Sequence, residues 1–281
     1  MISNRLKVVL LSLAALCVYL FVSAPPPLAD GATTGAKIPT RTLLEIANYE
    51  NNVVRALYTK EIVGAGKKAG LKFDEHWMDS DMQAGPLPAQ FLRETARSLE
   101  KSPVRLNLYL GSNLPINPAN HFEGESLRRF LELRADRQPR YFRVADSGTY
   151  AYMAADVAIS QPCVDCHNAH VDSPKQDWRL NDVMGATTWT YPEDTLGLDE
   201  AVQSLAALRL GFRDAYTKVL KKMASLKNPP HIGQRWPSEG YYLPSEQVFI
   251  AEIDKRISAH TLNELYTVSE KTTYTKSTEK K

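Results

Sequence analysis

From Arg41 to Gly64 the apolar residues keep helical spacing, with Leu43, Leu44, Ile46, Val53, Val54 and Leu57 on one stripe. Gly64, Gly66 and Gly70 then interrupt the pattern, and Leu87-Pro88 leads into a shorter helix over 89–99. At Arg105 the period changes to two. Leu106, Leu108 and Leu110 share one face and Asn107 and Tyr109 the other, which predicts a strand. Residues 113–120, with Pro115 and Pro118, read as a loop, and 125–135 as a helix. Tyr141–Ala145 and Thr149–Ile159 predict two strands joined by the turn Asp146-Ser147-Gly148. The segment around Cys163 reads as a loop and Val183–Tyr191 as a last strand. Helices followed by antiparallel strands, with one helix inserted, predict an α+β domain over 40–195. A half-covered sheet would offer a concave face as a ligand seat.

The remainder, 196–268, predicts a helical extension: a helix over 199–226, a Pro/Gly loop, then a helix over 245–265. It also resembles residues 43–112. Tyr58-Thr59-Lys60, Trp77, Leu87-Pro88 and Leu106-Asn107 recur in order as Tyr216-Thr217-Lys218, Trp236, Leu243-Pro244 and Leu262-Asn263, with spacings equal to within about three residues. Either common helix-and-turn residues match by chance, or a degenerate repeat stops after its first strand and lacks the cysteine motif of the first copy. The tail, 269–281, is Lys, Thr, Ser and Glu with almost no apolar residue and predicts disorder.

A chain of 281 residues has room for one core and an appendage, and a net charge of +2 with dispersed basic residues gives no sign of nucleic-acid binding. The N-terminus is more specific. Arg5 and Lys7 precede an apolar run, Val8 to Ala24, that ends at Pro25-Pro26-Pro27. This predicts an export signal or membrane anchor within 1–30, its basic end in the cytoplasm and the body in the periplasm. Val22-Ser23-Ala24 has the small residues of a cleavage site, but the proline after it resists cleavage, which favours a retained anchor over a released protein. Cys17 lies in the apolar run behind Leu16, too bulky for a lipoprotein site.

The exported body then holds two cysteines, Cys163 and Cys166, followed at once by His167. Two thiols at this spacing add to the two vinyl groups of haem, and the adjacent histidine offers its imidazole to the iron as proximal ligand. A thioredoxin-like pair would open a helix straight after a strand, a zinc site would need a second ligand pair, and a plain disulfide would leave His167 without a role. The motif predicts one covalent haem c.

The stretch Gln161-Pro162-Cys163-Val164-Asp165-Cys166-His167-Asn168-Ala169-His170-Val171-Asp172-Ser173-Pro174-Lys175-Gln176-Asp177-Trp178, with Asn181-Asp182-Val183-Met184-Gly185, Gly85 to Phe91 and Asn117 to Glu123, resembles one group of proteins. These are the periplasmic c-haem, PAS-like sensor domains, long catalogued as a domain of unknown function and often found ahead of histidine kinases, nucleotide cyclases and chemoreceptors. The resemblance covers 43–192. It implies a PAS-like fold with haem between the sheet and the N-terminal helices. No second apolar span and no catalytic output domain follow here, so a signal or an electron is expected to be handed on by contact.

The sixth iron ligand stays open. Some members of the group use a cysteine from an N-terminal helix, but no cysteine remains here to serve. His76 and His121 are the distal candidates, with Met78, Met82, Met153, Tyr58, His231 and His260 behind them and an unligated position as the alternative. His170, three residues from His167, reads as a polar contact. Trp178, Trp189 and Tyr152 are candidate porphyrin neighbours or ordinary core. Arg105, Arg140 and Arg143 are candidate propionate partners or solvated strand residues. No nucleophile–base pair or phosphate-binding glycine loop is present, so no catalytic residue and no enzyme is expected. Two functions follow: a haem-based redox or gas-responsive sensor, or a periplasmic electron-transfer cytochrome. The expected partners are the c-type cytochrome maturation machinery, a signalling or redox partner protein, and the membrane if the N-terminal segment is uncleaved.

Overall fold

The chain enters through a short strand, β1 (Lys37–Pro39), and the helix α1 (Thr40–Leu57), in a computed structural model that describes Leu13 and residues 37–278, the side chains of Pro162 and of 269–278 excepted. The export segment expected over 1–30, with Cys17, lies outside the described residues, Leu13 apart. Among the described residues no helix is long and apolar enough to cross a membrane. Gly64 and Gly66 do not stop α1. It widens into a π-helix over Tyr58–Gly64 and closes with an α turn, Ala65–Lys68. Gly66 is where the following chain crosses close by, since a Cβ there would come within 3.0 Å of the Phe73 ring. The break comes at Gly70, whose φ of 97° suits glycine.

Next come the parallel pair β2 (Phe73–Asp74) and β3 (Gly85–Pro86), then α2 (Pro88–Glu100), with proline in its first turn. The sheet follows: β4 (Asn107–Gly111), the helix α3 (Gly124–Asp136), β5 (Arg140–Arg143), β6 (Tyr150–Val157), a helix α4 (Gln161–Ala169) and β7 (Val183–Tyr191). The four strands are antiparallel in the order β4-β7-β6-β5, so the protein is α+β. The Asp146-Ser147-Gly148 turn is closed by hydrogen bonds from Gly148 N–H to Val144 O and from Val144 N–H to Thr149 O, both 2.8 Å.

Period-two alternation sorts the strand side chains. Tyr152, Ala154 and Trp189 join the core beneath α1, while Ala151, Met153 and Ala186 join Phe130, Leu133 and Phe142 on the side of α3. Both faces are therefore covered. The open concave face expected from the sequence is absent because α3 folds back over it.

The rest is β8 (Thr195–Gly197, paired with β1), α5 (Leu198–Ala224), the parallel pair β9 (His231–Gly233) and β10 (Tyr242–Pro244), and α6 (Glu246–Thr278). These helices do not stand apart. Leu205, Phe212, Tyr216 and Phe249 share one core with Leu43, Val54 and Phe91, and the described residues from Lys37 on belong to one unit. The two helical stretches are built alike. The Tyr58 hydroxyl donates to Pro86 O at 2.8 Å and that of Tyr216 to Pro244 O at 2.8 Å. Tyr58 stacks on Phe91 (4.3 Å between centroids), Tyr216 stacks on Phe249 (3.9 Å), and the two phenylalanines meet edge to face. The matching register sets Pro86, not Pro88, against Pro244. Leu106-Asn107 and Leu262-Asn263 do not correspond: the first pair leads into β4, the second lies inside α6. Among the described residues no strand follows α6. α6 continues to Thr278, into the segment whose composition predicts disorder.

Two buried carboxylates lock the two helical stretches together. Glu50 on α1 accepts from Arg209 Nε at 3.0 Å, Arg209 Nη2 at 2.5 Å and the Thr261 hydroxyl at 2.7 Å. Glu94 on α2 accepts from Lys218 Nζ at 2.6 Å and pairs with Arg97. Burial pushes the Glu94 carboxyl up, but these two cations outweigh it and hold it below its ordinary value.

Glu50→Ala is expected to cost about 3 kcal/mol, the low end for breaking a buried pair, because Arg209 can turn its freed charge partly to water. Urea denaturation checks this against Arg41→Ala, an exposed pair whose loss should change stability by less than about 0.5 kcal/mol.

Candidate functional site

The cysteine motif sits on an excursion between two adjacent strands. β6 ends in a register shift at Asp156/Val157, and the neck of the excursion is pinned by paired backbone bonds. Ala158 N–H donates to Asp182 O and Asn181 N–H to Ala158 O, each at 3.0 Å. The segment that the sequence reading takes as a loop is the helix α4. Its first turn holds Pro162, whose missing N–H is harmless there, and Gln161 Nε2 donates to Asp165 Oδ1 one turn on, at 2.7 Å. Helical context therefore does not separate this motif from a thioredoxin-like pair. Partial burial and nearby Glu75 push the Cys166 thiol up.

On a helix, positions i, i+3 and i+4 share a face, so Cys163, Cys166 and His167 project together. Val164 is buried with Ala158 and Trp178, and Cys163, Leu114 and Met184 pack against them. Cys166 is exposed, while Cys163 and His167 are half-buried. Burial lowers the His167 pKa, and Asp156 only partly opposes this. At neutral pH the ring is uncharged and keeps a lone pair for a metal.

The outer wall is the segment from Asn168 to Trp178. The Asn168 side chain clamps it shut, with Nδ2 donating to Trp178 O at 3.0 Å and Oδ1 accepting from Trp178 N–H at 2.8 Å. Trp178 meets the His167 ring edge-on at 6.4 Å between centroids, and Lys175 Nζ lies 4.8 Å from the indole centroid. Trp178 Nε1 is buried without a hydrogen-bond partner. His170 is a polar contact: Asp172 N–H donates to its Nδ1 at 3.1 Å, which places the ring proton on Nε2, 2.7 Å from Glu75 Oε1.

The other expected residues scatter. His76 is exposed, its N–H donates to Asp74 Oδ1 at 2.8 Å, and its neighbour Glu75 brings this loop to α4. Met78 is exposed and Met82 half-buried in the same loop. His121 is exposed where the 3-10 turn Pro118–Asn120 ends, and adjoining Phe122 packs beneath α3. His260 lies against Tyr49 and His231 against Tyr242, both in the helical half. Met153 is fully buried beneath α3, and the Tyr58 hydroxyl is committed to Pro86. Trp189 and Tyr152 are core residues of the sheet. Arg105 pairs with Glu193 and Glu200, and Arg140 with Asp136 and Glu132, so both already have carboxylate partners. Arg143 is an exposed strand residue.

Sequence reasoning missed Glu75 and the ion pair of Arg55 on α1 with Asp156 on β6. Neither carries a local pattern. Asn168 was visible only as a letter of the quoted stretch.

Among the described residues no group of three or more His, Cys, Asp or Glu stands ready for a bare metal ion. Two thiols, one neutral imidazole and an orphaned indole N–H do suit a haem, which brings four ring nitrogens of its own together with vinyl carbons and carboxylates.

A family model described as Tll0287-like matches residues 28–192 and leaves out α5 and α6. No curated protein and no solved structure matches the chain.

Asn168→Ala removes both bonds to the Trp178 backbone. It should cost about 1–3 kcal/mol and speed exchange of the Trp178 amide. Denaturant titration and hydrogen exchange check this.

Proposed function

The chain belongs to the Tll0287-like family, and from that membership we propose that it is an exported monohaem c-type cytochrome with a PAS-like domain, acting as a haem-based redox or gas-responsive sensor. The carrying observation is the single face of α4 that presents Cys163, Cys166 and His167 at the spacing haem attachment requires. Cys163 and Cys166 would hold the vinyl carbons by thioether bonds and His167 the iron. Once bound, haem supplies a one-electron centre that can take a diatomic gas wherever its sixth position is free.

The chain's own residues supply rigidity and shielding. Val164, Ala158 and Trp178 keep water from the inner face of α4. The Asn168 clamp fixes the wall beside His167, and the buried Trp178 N–H is a donor suited to a haem carboxylate. Tyr58 and Met153 are committed to the core and His170 to Glu75, leaving His76, Met78, Met82 and His121 as groups a sixth position could recruit. An electron carrier is the second reading, favoured by exposed Cys166, which would put a haem edge near solvent. On either reading the protein works in the periplasm, anchored or released, after the c-type maturation machinery has acted, and passes its state to a signalling or redox partner without itself being an enzyme.

Co-expression with the maturation machinery should yield covalent haem that Cys163→Ala and Cys166→Ala reduce. The absorption spectrum of the reduced protein should shift at once on adding carbon monoxide. An unchanged low-spin spectrum would favour the carrier, and absence of covalent haem would sink both readings.

A further inference from the structure

The helix that carries the motif is tied to the helical half through His170. This residue ends α4: its N–H donates to Cys166 O at 2.9 Å and its carbonyl accepts from Ser173 N–H at 3.0 Å. Both ring nitrogens are engaged, Nδ1 by Asp172 N–H at 3.1 Å and Nε2 by Glu75 Oε1 at 2.7 Å. The imidazole is 14% exposed, so water screens this bond less than it would an open surface pair.

Glu75 directly follows β2 and opens the loop to β3. That loop is fastened further along to the C-terminal end of α5: Lys222 Nζ donates to Asp79 O at 2.8 Å, and the backbone N–H of Lys227 donates to Gln83 Oε1 at 2.8 Å. α5 in turn is locked to α1 and α2 through Glu50 with Arg209 and Glu94 with Lys218. His170 also lies three residues after His167, immediately beyond the end of α4. A tether at 170 fixes the rotation of α4 about its axis, and with it the direction in which the His167 ring points.

We propose that the His170–Glu75 hydrogen bond passes the state of the haem on α4 to the C-terminal helical half, with His170 acting as a positioning residue for His167. The inference rests on the haem reading of α4. On that reading a displaced His167 would turn α4, and Glu75 would carry the displacement into residues 75–83 and the end of α5.

The test uses the full chain matured with haem, oxidised or reduced with dithionite, in wild type, His170→Ala, Glu75→Ala and His170→Gln. Glutamine keeps an acceptor for Asp172 and a donor for Glu75. Hydrogen exchange over 75–83 and 218–227 is expected to differ between the oxidised and reduced wild type. The alanine variants should lose that difference, exchange over 75–83 on the order of five-fold faster, the change one net hydrogen bond predicts, and show a displaced midpoint potential. His170→Gln should restore all three. Should the alanine variants fail to accumulate, Glu75→Asp withdraws the acceptor by one methylene and should give the same changes, weaker. Alanine variants with wild-type potential and wild-type redox-dependent exchange would overturn the proposal. So would loss of an axial ligand in the His170→Ala spectrum, which would make His170 an iron ligand. A wild type that takes up no haem on maturation fails earlier, and brings down the haem reading and this inference together.

Discussion

A carboxylate with no exposed surface, Glu50, sets the terms for this fold. Buried alone it would cost several kcal/mol, so its three donors from Arg209 and Thr261 have to be in place. Those donors come from α5 and α6, more than 150 residues away in the chain. The helix that covers the sheet is therefore tied to the helical stretch formed by α5 and α6. The sheet beneath α1 in turn supplies the two strands between which the motif excursion is hung. Removing the second copy would expose apolar α1 and α2 surface and leave the Glu50 charge unpaired.

The two helical stretches share some contacts and differ in others. Each joins its helix to the following parallel strand pair by a tyrosine hydroxyl on a proline carbonyl, and each stacks that ring on a phenylalanine. Only the first widens into a π-helix after its tyrosine, whereas α5 stays α-helical to its end. π segments are costly and gather where a helix serves a second purpose. This one precedes the strand and loop that reach α4. Only the first copy leads on into the sheet, and only that sheet has an excursion able to hold the motif.

The site depends on where that excursion leaves the sheet. The register shift at Asp156/Val157 turns the chain out of the sheet, and the paired bonds between Ala158 and residues 181–182 return it to β7 without disturbing the ladder. Beside it the sheet is tight: a Cβ on Gly185 would stand 2.6 Å from Gly111 O. Ordered strands with a pinned neck present α4 on a rigid base, which a covalently held cofactor needs if its iron ligand is to keep one direction.

Periodicity alone located β7 over its observed range and the helices α2, α3 and α5 to within a few residues, because each buries one face and the burial repeats along the chain. The spacing of Cys163, Cys166 and His167 was equally legible, since it is fixed in the chain before folding. Other features were decided only in three dimensions. Whether 161–169 is a loop or a helix rests on Val164 finding a pocket with Ala158 and Trp178, for nine residues form no stable helix alone. The helix ran past Gly64 and Gly66 because packing against Leu71 and Phe73 outweighed their weak propensity. α3 closed the sheet face that alternation left open. His170 found Glu75 across 95 residues, and no local pattern names a partner that far away. The sequence by itself determined which residues repeat along an axis and which carry reactive groups. Only the tertiary structure decided what faces them, because distant partners are chosen by packing and charge rather than by neighbourhood in the chain.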